Sequence, residues 1–300
     1  MQRSLINRIA TLTAAVTLAC AASTAAAAAT GADAHPAFKI DVTGKGAPLI
    51  LIPGLASSGE VWNGTVARYC GAGGKYQCHV LTLAGFAGQP AIDTPLLPAV
   101  EQQLSDYIAA NKFDRPIVIG HSMGGFLGMK LAADHPDQVS RLVIVDSLPA
   151  MAATQMPSIT GEQMKQMAAG MRTRILAQDA AAYKVTQQQT LHSMITKQED
   201  IDRATGWGDR SDRATVANSM AEMMGDDMRQ QISRIKAPTL VLGSWIAYKD
   251  YGAKPMFEQM FKSQYQQLAG VKIELADNAR HFIMYDDAAW MYDRIDSFLN

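Results

Sequence analysis

Short runs of branched and apolar residues recur along the chain at 38–42, 48–52, 79–83, 116–119, 141–145, 239–243 and 271–275, and glycine, proline or polar residues close them off. Runs of this kind read as buried strands. Between most of them apolar positions return every third or fourth residue, which predicts helices over 61–69, 97–111, 124–135, 255–268 and 288–299. Strands alternating with helices predict a mostly parallel sheet covered on both faces. In such a sheet functional groups gather beyond the carboxyl ends of the strands.

The alternation lapses once. Residues 149–235 show no strand pattern and are helical, polar and rich in methionine, with Met151, Met164, Met171, Met194, Met220 and Met224 among them. The pattern predicts a helical cap inserted into an α/β core made of residues 35–148 and 236–300. Methionine is flexible and polarisable, so such a cap suits an apolar ligand, although packing on the core explains any one of these side chains as well.

The first segment has a different character. Arg3 and Arg8 precede an apolar stretch at 9–22, and small residues follow. That order predicts a secretory signal peptide and processing region over 1–34, and so a periplasmic or secreted protein. Beyond it no apolar stretch is long enough to span a bilayer, so no stable membrane insertion is expected after processing. The net charge of −1 gives no field that would draw nucleic acid or an anionic surface. Export also changes the cysteines. Without Cys20, Cys70 and Cys78 remain as a pair across GAGGKYQ, and an oxidising compartment favours a disulfide between them over two separate thiols.

The chemistry centres on PIVIGHSMGGFLGMKLAADHP, residues 116–136. Ser122 stands between Gly120 and Gly124, with Gly125 next, where a strand gives way to a helix. Gly-x-Ser-x-Gly at such a junction is the nucleophile-elbow pattern. A very tight turn pushes the hydroxyl clear of the sheet, and side chains two residues to either side would strike the neighbouring strand and helix. A serine needs a base to take its proton. Of the six histidines, His281 lies in a loop between the last strand and the last helix, from which an imidazole can reach back to Ser122. His35 adjoins the processing region, His79 begins a strand, His121 neighbours the serine, His135 ends the elbow helix and His192 falls in the cap.

Taken together these segments resemble the α/β-hydrolase family over nearly all of the mature length. LILIPGLASSGEVW resembles its oxyanion segment, with Gly54, Leu55 and Trp62 in pattern and Pro53 where histidine is usual. LTLAGFAGQP resembles its glycine-rich loop, with Thr82 replacing a common aspartate, while IGHSMGGFLG and ARHF match the elbow and the terminal histidine motif. The resemblance implies a mostly parallel α/β-hydrolase sheet with helices on both faces and an inserted helical cap. It implies a serine hydrolase whose oxyanion hole is the backbone amides of Leu55 and Met123. Its third group is an acid that holds the imidazole. Here the pattern departs, because Ile246 and Ala247 occupy the place where the family's aspartate is expected. Asp250 follows a few residues late, and Asp146 stands directly after the run at 141–145, a position some relatives use. Asp146 is preferred for its rigid place at a strand end. Asp250 stays open as the alternative.

Metal-binding His-Glu-x-x-His, Cys-x-x-Cys pairs and a phosphate loop are missing from the sequence, and this chemistry implies no cofactor and no metal. The implied partner is a small-molecule ester with an apolar acyl or aryl group, cleaved through an acyl-enzyme. The same groups serve lactone, thioester and carbon–carbon hydrolysis, and a non-catalytic ligand-binding member of the fold is the rival from another class.

Overall fold

The computed structural model describes residues 35–154 and 156–300; the predicted leader at 1–34, with Cys20, lies outside the described residues. Seven strands form one sheet: β1 (Phe38–Gly44), β2 (Ala47–Ile52), β3 (Tyr76–Leu83), β4 (Ile117–His121), β5 (Arg141–Val145), β6 (Thr239–Ser244) and β7 (Lys272–Ala276). Their order is β1-β3-β2-β4-β5-β6-β7, and only β1 runs antiparallel to its neighbour. Every residue of β4 and the last four of β2 are buried, as expected of strands covered on both faces. The edge strand β1 is different. It sets Lys39 and Asp41 outward as an exposed ion pair of 2.8 Å, a charged edge that discourages further pairing.

The helices are α1 (Asn63–Cys70), α2 (Leu96–Ala110), α3 (Met123–Asp134), α4 (Gly161–Ala177), α5 (Ala180–Met194), α6 (Gln198–Asp209), α7 (Arg213–Met224), α8 (Lys254–Gln264) and α9 (Ala288–Leu299). Apolar residues of α2, α3 and α8 share one cluster with one face of the sheet, and those of α1 and α9 share the other. Ten of the twelve residues of helix α3 are buried, all but Lys130 and Asp134, as a helix at the centre of a layered core requires. Helices α4 to α7 all lie between β5 and β6. Local chemistry starts α4: the Thr160 hydroxyl accepts from the Gln163 amide at 3.3 Å while the Gln163 side chain accepts from the Thr160 amide at 2.9 Å.

Two details depart from the sequence pattern. Strand β3 begins at Tyr76, earlier than its apolar run, because it pairs with β2 from Ala47 opposite Tyr76 and with β1 as far as Gly44 opposite Gln77. A single helical turn, Ile283–Asp286, precedes α9. Cys70 and Cys78 are joined by a disulfide with a Cα–Cα distance of 5.8 Å, tying the end of α1 to β3.

Strand order fixes where a site can form. From β2 the chain crosses to β3 on one side, whereas from β4 it proceeds to β5 on the other. The carboxyl ends of β2 and β4 therefore flank a topological switch point, the place where open α/β sheets leave a crevice.

Candidate active site

Ser122 sits at that crevice, between the end of β4 and the start of α3, with φ +53° and ψ −121°. This backbone region is costly for any residue but glycine, and it persists only where the surroundings impose it. The surroundings here are tightly packed. A Cβ at Gly120 would lie 2.2 Å from the Gly124 carbonyl oxygen, and one at Gly124 would lie 2.2 Å from the Ile52 carbonyl oxygen. The bend can therefore close only with glycine at both places. The Ser122 amide donates to the Val145 carbonyl at 2.9 Å and fastens the bend to β5.

The next residue along β5 is Asp146, also at positive φ (+49°), whose amide donates to the Leu242 carbonyl at 2.7 Å. Its carboxylate is fully engaged. Oδ1 accepts from the Ser244 amide at 2.7 Å, and Oδ2 accepts from the Ser244 hydroxyl at 2.8 Å and from His281 Nδ1 at 2.7 Å. A carboxylate is acceptor-only, so Nδ1 carries a proton, and in the neutral ring the lone pair that a base requires is then on Nε2. Both side chains are mostly buried, 21% exposed for His281 and 12% for Asp146. Asp250 is exposed on the loop after β6 and takes no part in this cluster.

The His281 loop is held from three sides. His121 donates from Nε2 to the His281 carbonyl at 3.1 Å, and the two rings lie 4.6 Å apart. The Arg280 amide donates to Asp286 at 2.9 Å, and the same carboxylate accepts from the Thr196 amide and hydroxyl at 2.9 Å each. The Phe282 amide donates to the Met194 carbonyl at 3.2 Å, which joins the loop to the end of α5. Ser122 thus lies between His121, whose ring packs on that of His281, and Val145, whose neighbour Asp146 holds the same ring. Among the described residues Ser122 and His281 share no hydrogen bond. In ligand-free sites that contact is often long and closes when substrate binds.

Leu55 and Met123 flank the serine. A Cβ on Gly54, one residue before Leu55, would be 3.2 Å from the Ser122 Cβ, and Met123 is the first residue of α3. Among the described residues neither amide has a protein acceptor, so both are available to an oxyanion. Ala56, next to Leu55, has φ +52°, a third positive value in this small region besides Ser122 and Asp146. Thr82, which replaces the family's usual aspartate, accepts from the Gly59 amide at 3.0 Å and anchors the far end of the same loop. Trp62 is fully buried beneath it.

Sequence reasoning missed Ser244, His121, Asp286 and Thr196 as parts of this arrangement. The last three act through the His281 loop, and nothing local in the sequence marks them. A crevice of about 490 Å³ between the 92–96 loop, α4 and α7, with Asp93, Lys165, Arg172 and Glu222 in its wall, does not reach Ser122, Asp146 or His281.

His121 yields a pH-dependent expectation. Burial first, and then the charge that His281 can carry, hold its pKa well below the ordinary 6.5, against a smaller opposing effect of its bond to the His281 carbonyl. Below that ordinary value the unfolded chain takes up a proton at this position that the folded protein refuses. Stability is therefore intact above 6.5 and lost as the pH falls towards the folded value, by up to about 1.4 kcal/mol per pH unit. His79, lowered by burial, adds to the slope. Urea midpoints measured at about pH 7.5 and about pH 5.5 should differ less in His121→Asn than in the wild type. Equal differences would remove His121 from this account.

A seven-stranded, mostly parallel sheet with a serine bend and a carboxylate-held histidine at its switch point defines an α/β hydrolase. The alpha/beta hydrolase family model matches residues 49–294, and the chain belongs to that family. It is 25% identical over 210 residues, covering 67% of this chain and 72% of the relative, to the RutD protein of Yersinia enterocolitica, whose name assigns it provisionally to carbamate hydrolysis. It is 31% identical over 134 residues to a pimeloyl-[acyl-carrier protein] methyl ester esterase of Aeromonas hydrophila, covering 42% of this chain and 50% of that one. The esterase EaEST of Exiguobacterium antarcticum superposes with a TM-score of 0.70 over 87% of this chain and 94% of that one, at 15% identity, a likeness of fold. The protein is a hydrolase-family member with esterase-like relatives.

Proposed function

We propose that the chain is an exported serine hydrolase of carboxylic esters that works through an acyl-enzyme. The observation that carries this reading is the forced positive-φ bend at Ser122 beside an imidazole whose tautomer Asp146 sets. In this mechanism His281 Nε2 takes the Ser122 proton as Oγ attacks the ester carbonyl. The carbonyl oxygen becomes an oxyanion and accepts from the amides of Leu55 and Met123, which need no rearrangement to meet it. The carbon–oxygen bond to the alcohol breaks, and the alcohol leaves with the proton from His281. Water then gives its proton to His281, attacks the acyl group, and releases the acid and the serine hydroxyl.

The esterase named among the relatives supports an ester substrate, and the four helices between β5 and β6 suit a cap over it. Export rests on the leader pattern at 1–34, and the disulfide accords with an oxidising compartment. A ligand-binding member without chemistry would need one of the three groups to be missing, so the held imidazole favours an enzyme. A fluorophosphonate probe should modify the wild type at Ser122, located by peptide mass, and leave Ser122→Ala unmodified. Labelling at another serine, or none at all, would defeat the proposal.

A further inference from the structure

The loop that follows β6 has Ile246 and Ala247 where the family's acid is expected, and aromatic residues, Trp245 and Tyr248, flank them. Trp245 comes directly after Ser244, the residue that grips Asp146 through its amide and hydroxyl. A short helical turn, Ile246–Tyr248, follows, and the loop then runs into α8. Its rings are layered. Tyr248 stacks on Phe257 with centroids 5.8 Å apart and planes 26° apart, and Trp245 lies 6.5 Å from the same Phe257. The outer surface is open: Tyr248 is 53% exposed, Met256 52% and Tyr251 83%. Among the described residues these are three of the seven large apolar side chains that are exposed, gathered within nine positions.

The layer shares one face of the sheet with the oxyanion loop and with the segment that follows Asp146. Trp245 and Phe257 pack against the apolar cluster that contains α3, as do Leu55 of the oxyanion loop and Leu148 and Met151 just beyond Asp146. Burial of the Tyr248 hydroxyl, and then the nearby charge of Asp146, raise that phenol above its ordinary pKa. Some of the charge on the layer's rim is paired, since Lys254 meets Asp277 at 2.7 Å and the Trp245 indole donates to the same carboxylate at 3.2 Å, while Lys249 and Asp250 stand exposed between Tyr248 and Tyr251. Between these charges the Tyr248 ring offers an exposed aromatic face next to the acid. Grouped exposed apolar residues beside a polar site mark a ligand surface, and aromatic faces prefer flat partners.

We propose that the Tyr248–Phe257 layer is a substrate-contact surface and receives an aromatic group of the ester. This inference rests on the esterase reading and names the class of substrate it takes. The aromatic group can sit on the acyl side or the alcohol side of the ester, so the test has an arm for each. Wild-type kcat/KM for methyl phenylacetate and for benzyl acetate is compared with that for ethyl acetate. One of the aromatic esters should be preferred by about tenfold or more, the worth of one good aromatic contact. Tyr248→Ala should lower that ratio by about tenfold, mainly through KM, while Tyr248→Phe keeps it. Val42→Ala, exposed on the edge strand β1, serves as the control that leaves the ratio alone.

Binding is followed separately from turnover. In a Ser122→Ala background the fluorescence of methyl 2-naphthylacetate reports its Kd, which should rise about tenfold when Tyr248→Ala is added. No aromatic preference in the wild type, or an unchanged ratio and Kd in Tyr248→Ala, would overturn the inference. A Kd that responds to Tyr248 in a protein whose Ser122 resists fluorophosphonate would keep this surface and defeat the esterase reading.

Discussion

Replacing Ser122 by glycine is expected to make the protein more stable and inactive at once. At φ +53° and ψ −121° a residue with a Cβ is held at a cost of about 1–3 kcal/mol, whereas glycine reaches this region freely. Glycine also gains more freedom in the unfolded chain, which offsets up to about 1 kcal/mol of the benefit. The serine side chain makes no capping bond to α3, so its removal forfeits no helix contact. A net gain of about 1 kcal/mol, or about 2–4 °C in Tm for a domain of this size, should appear by calorimetry. Turnover of an activated aryl ester should fall by about 10⁶, the loss seen when a nucleophilic serine is removed elsewhere. Persisting turnover would deny Ser122 its role. Unchanged or lower stability would mean that the bend stores no strain.

This trade explains why the elbow was legible in the sequence while the rest of the site was less so. A bend that only glycine-flanked residues can make must write itself into local sequence, and Gly120, Ser122 and Gly124 do so. The strands were legible for the same reason, since each buried run is continuous in the chain. The direction of β1 was not, because alternation along a strand says nothing about its partner. Nor was the turn at Ile283–Asp286, which is too short to show a helical period. The acid belongs to this second class. Strands β5 and β6 are neighbours, with Val145 opposite Leu242, so an acid at the end of either can face the same imidazole. Which end supplies it depends on the neighbouring strand: Ser244 closes β6 as a donor, and a donor there calls for the carboxylate of Asp146. The contact of His121 with the His281 carbonyl and that of Thr196 with Asp286 likewise join residues 160 and 90 positions apart, where local patterns carry no information.

Asp146→Asn should separate the two candidate acids by a large margin. The Ser244 amide is a fixed donor 2.7 Å from Oδ1, so an asparagine there must turn its carbonyl oxygen towards Ser244. Its NH₂ group then takes the place of Oδ2, where the Ser244 hydroxyl can rotate to accept from it. His281 now faces a donor at Nδ1, and its proton moves to Nε2. In that tautomer the ring cannot take the Ser122 proton, and kcat should fall by about 10⁴ with little change in KM, as in other triads given the wrong tautomer. Asp250→Asn, on an exposed loop, should stay within about twofold of the wild type, as surface changes away from a site generally do. Nitrogen-15 NMR of the His281 ring distinguishes this cause from a general loss of structure, because it reads which nitrogen carries the proton. A ring still protonated at Nδ1 in a slow Asp146→Asn enzyme would reject the tautomer argument. Near-normal kcat in Asp146→Asn would remove Asp146 from the mechanism altogether.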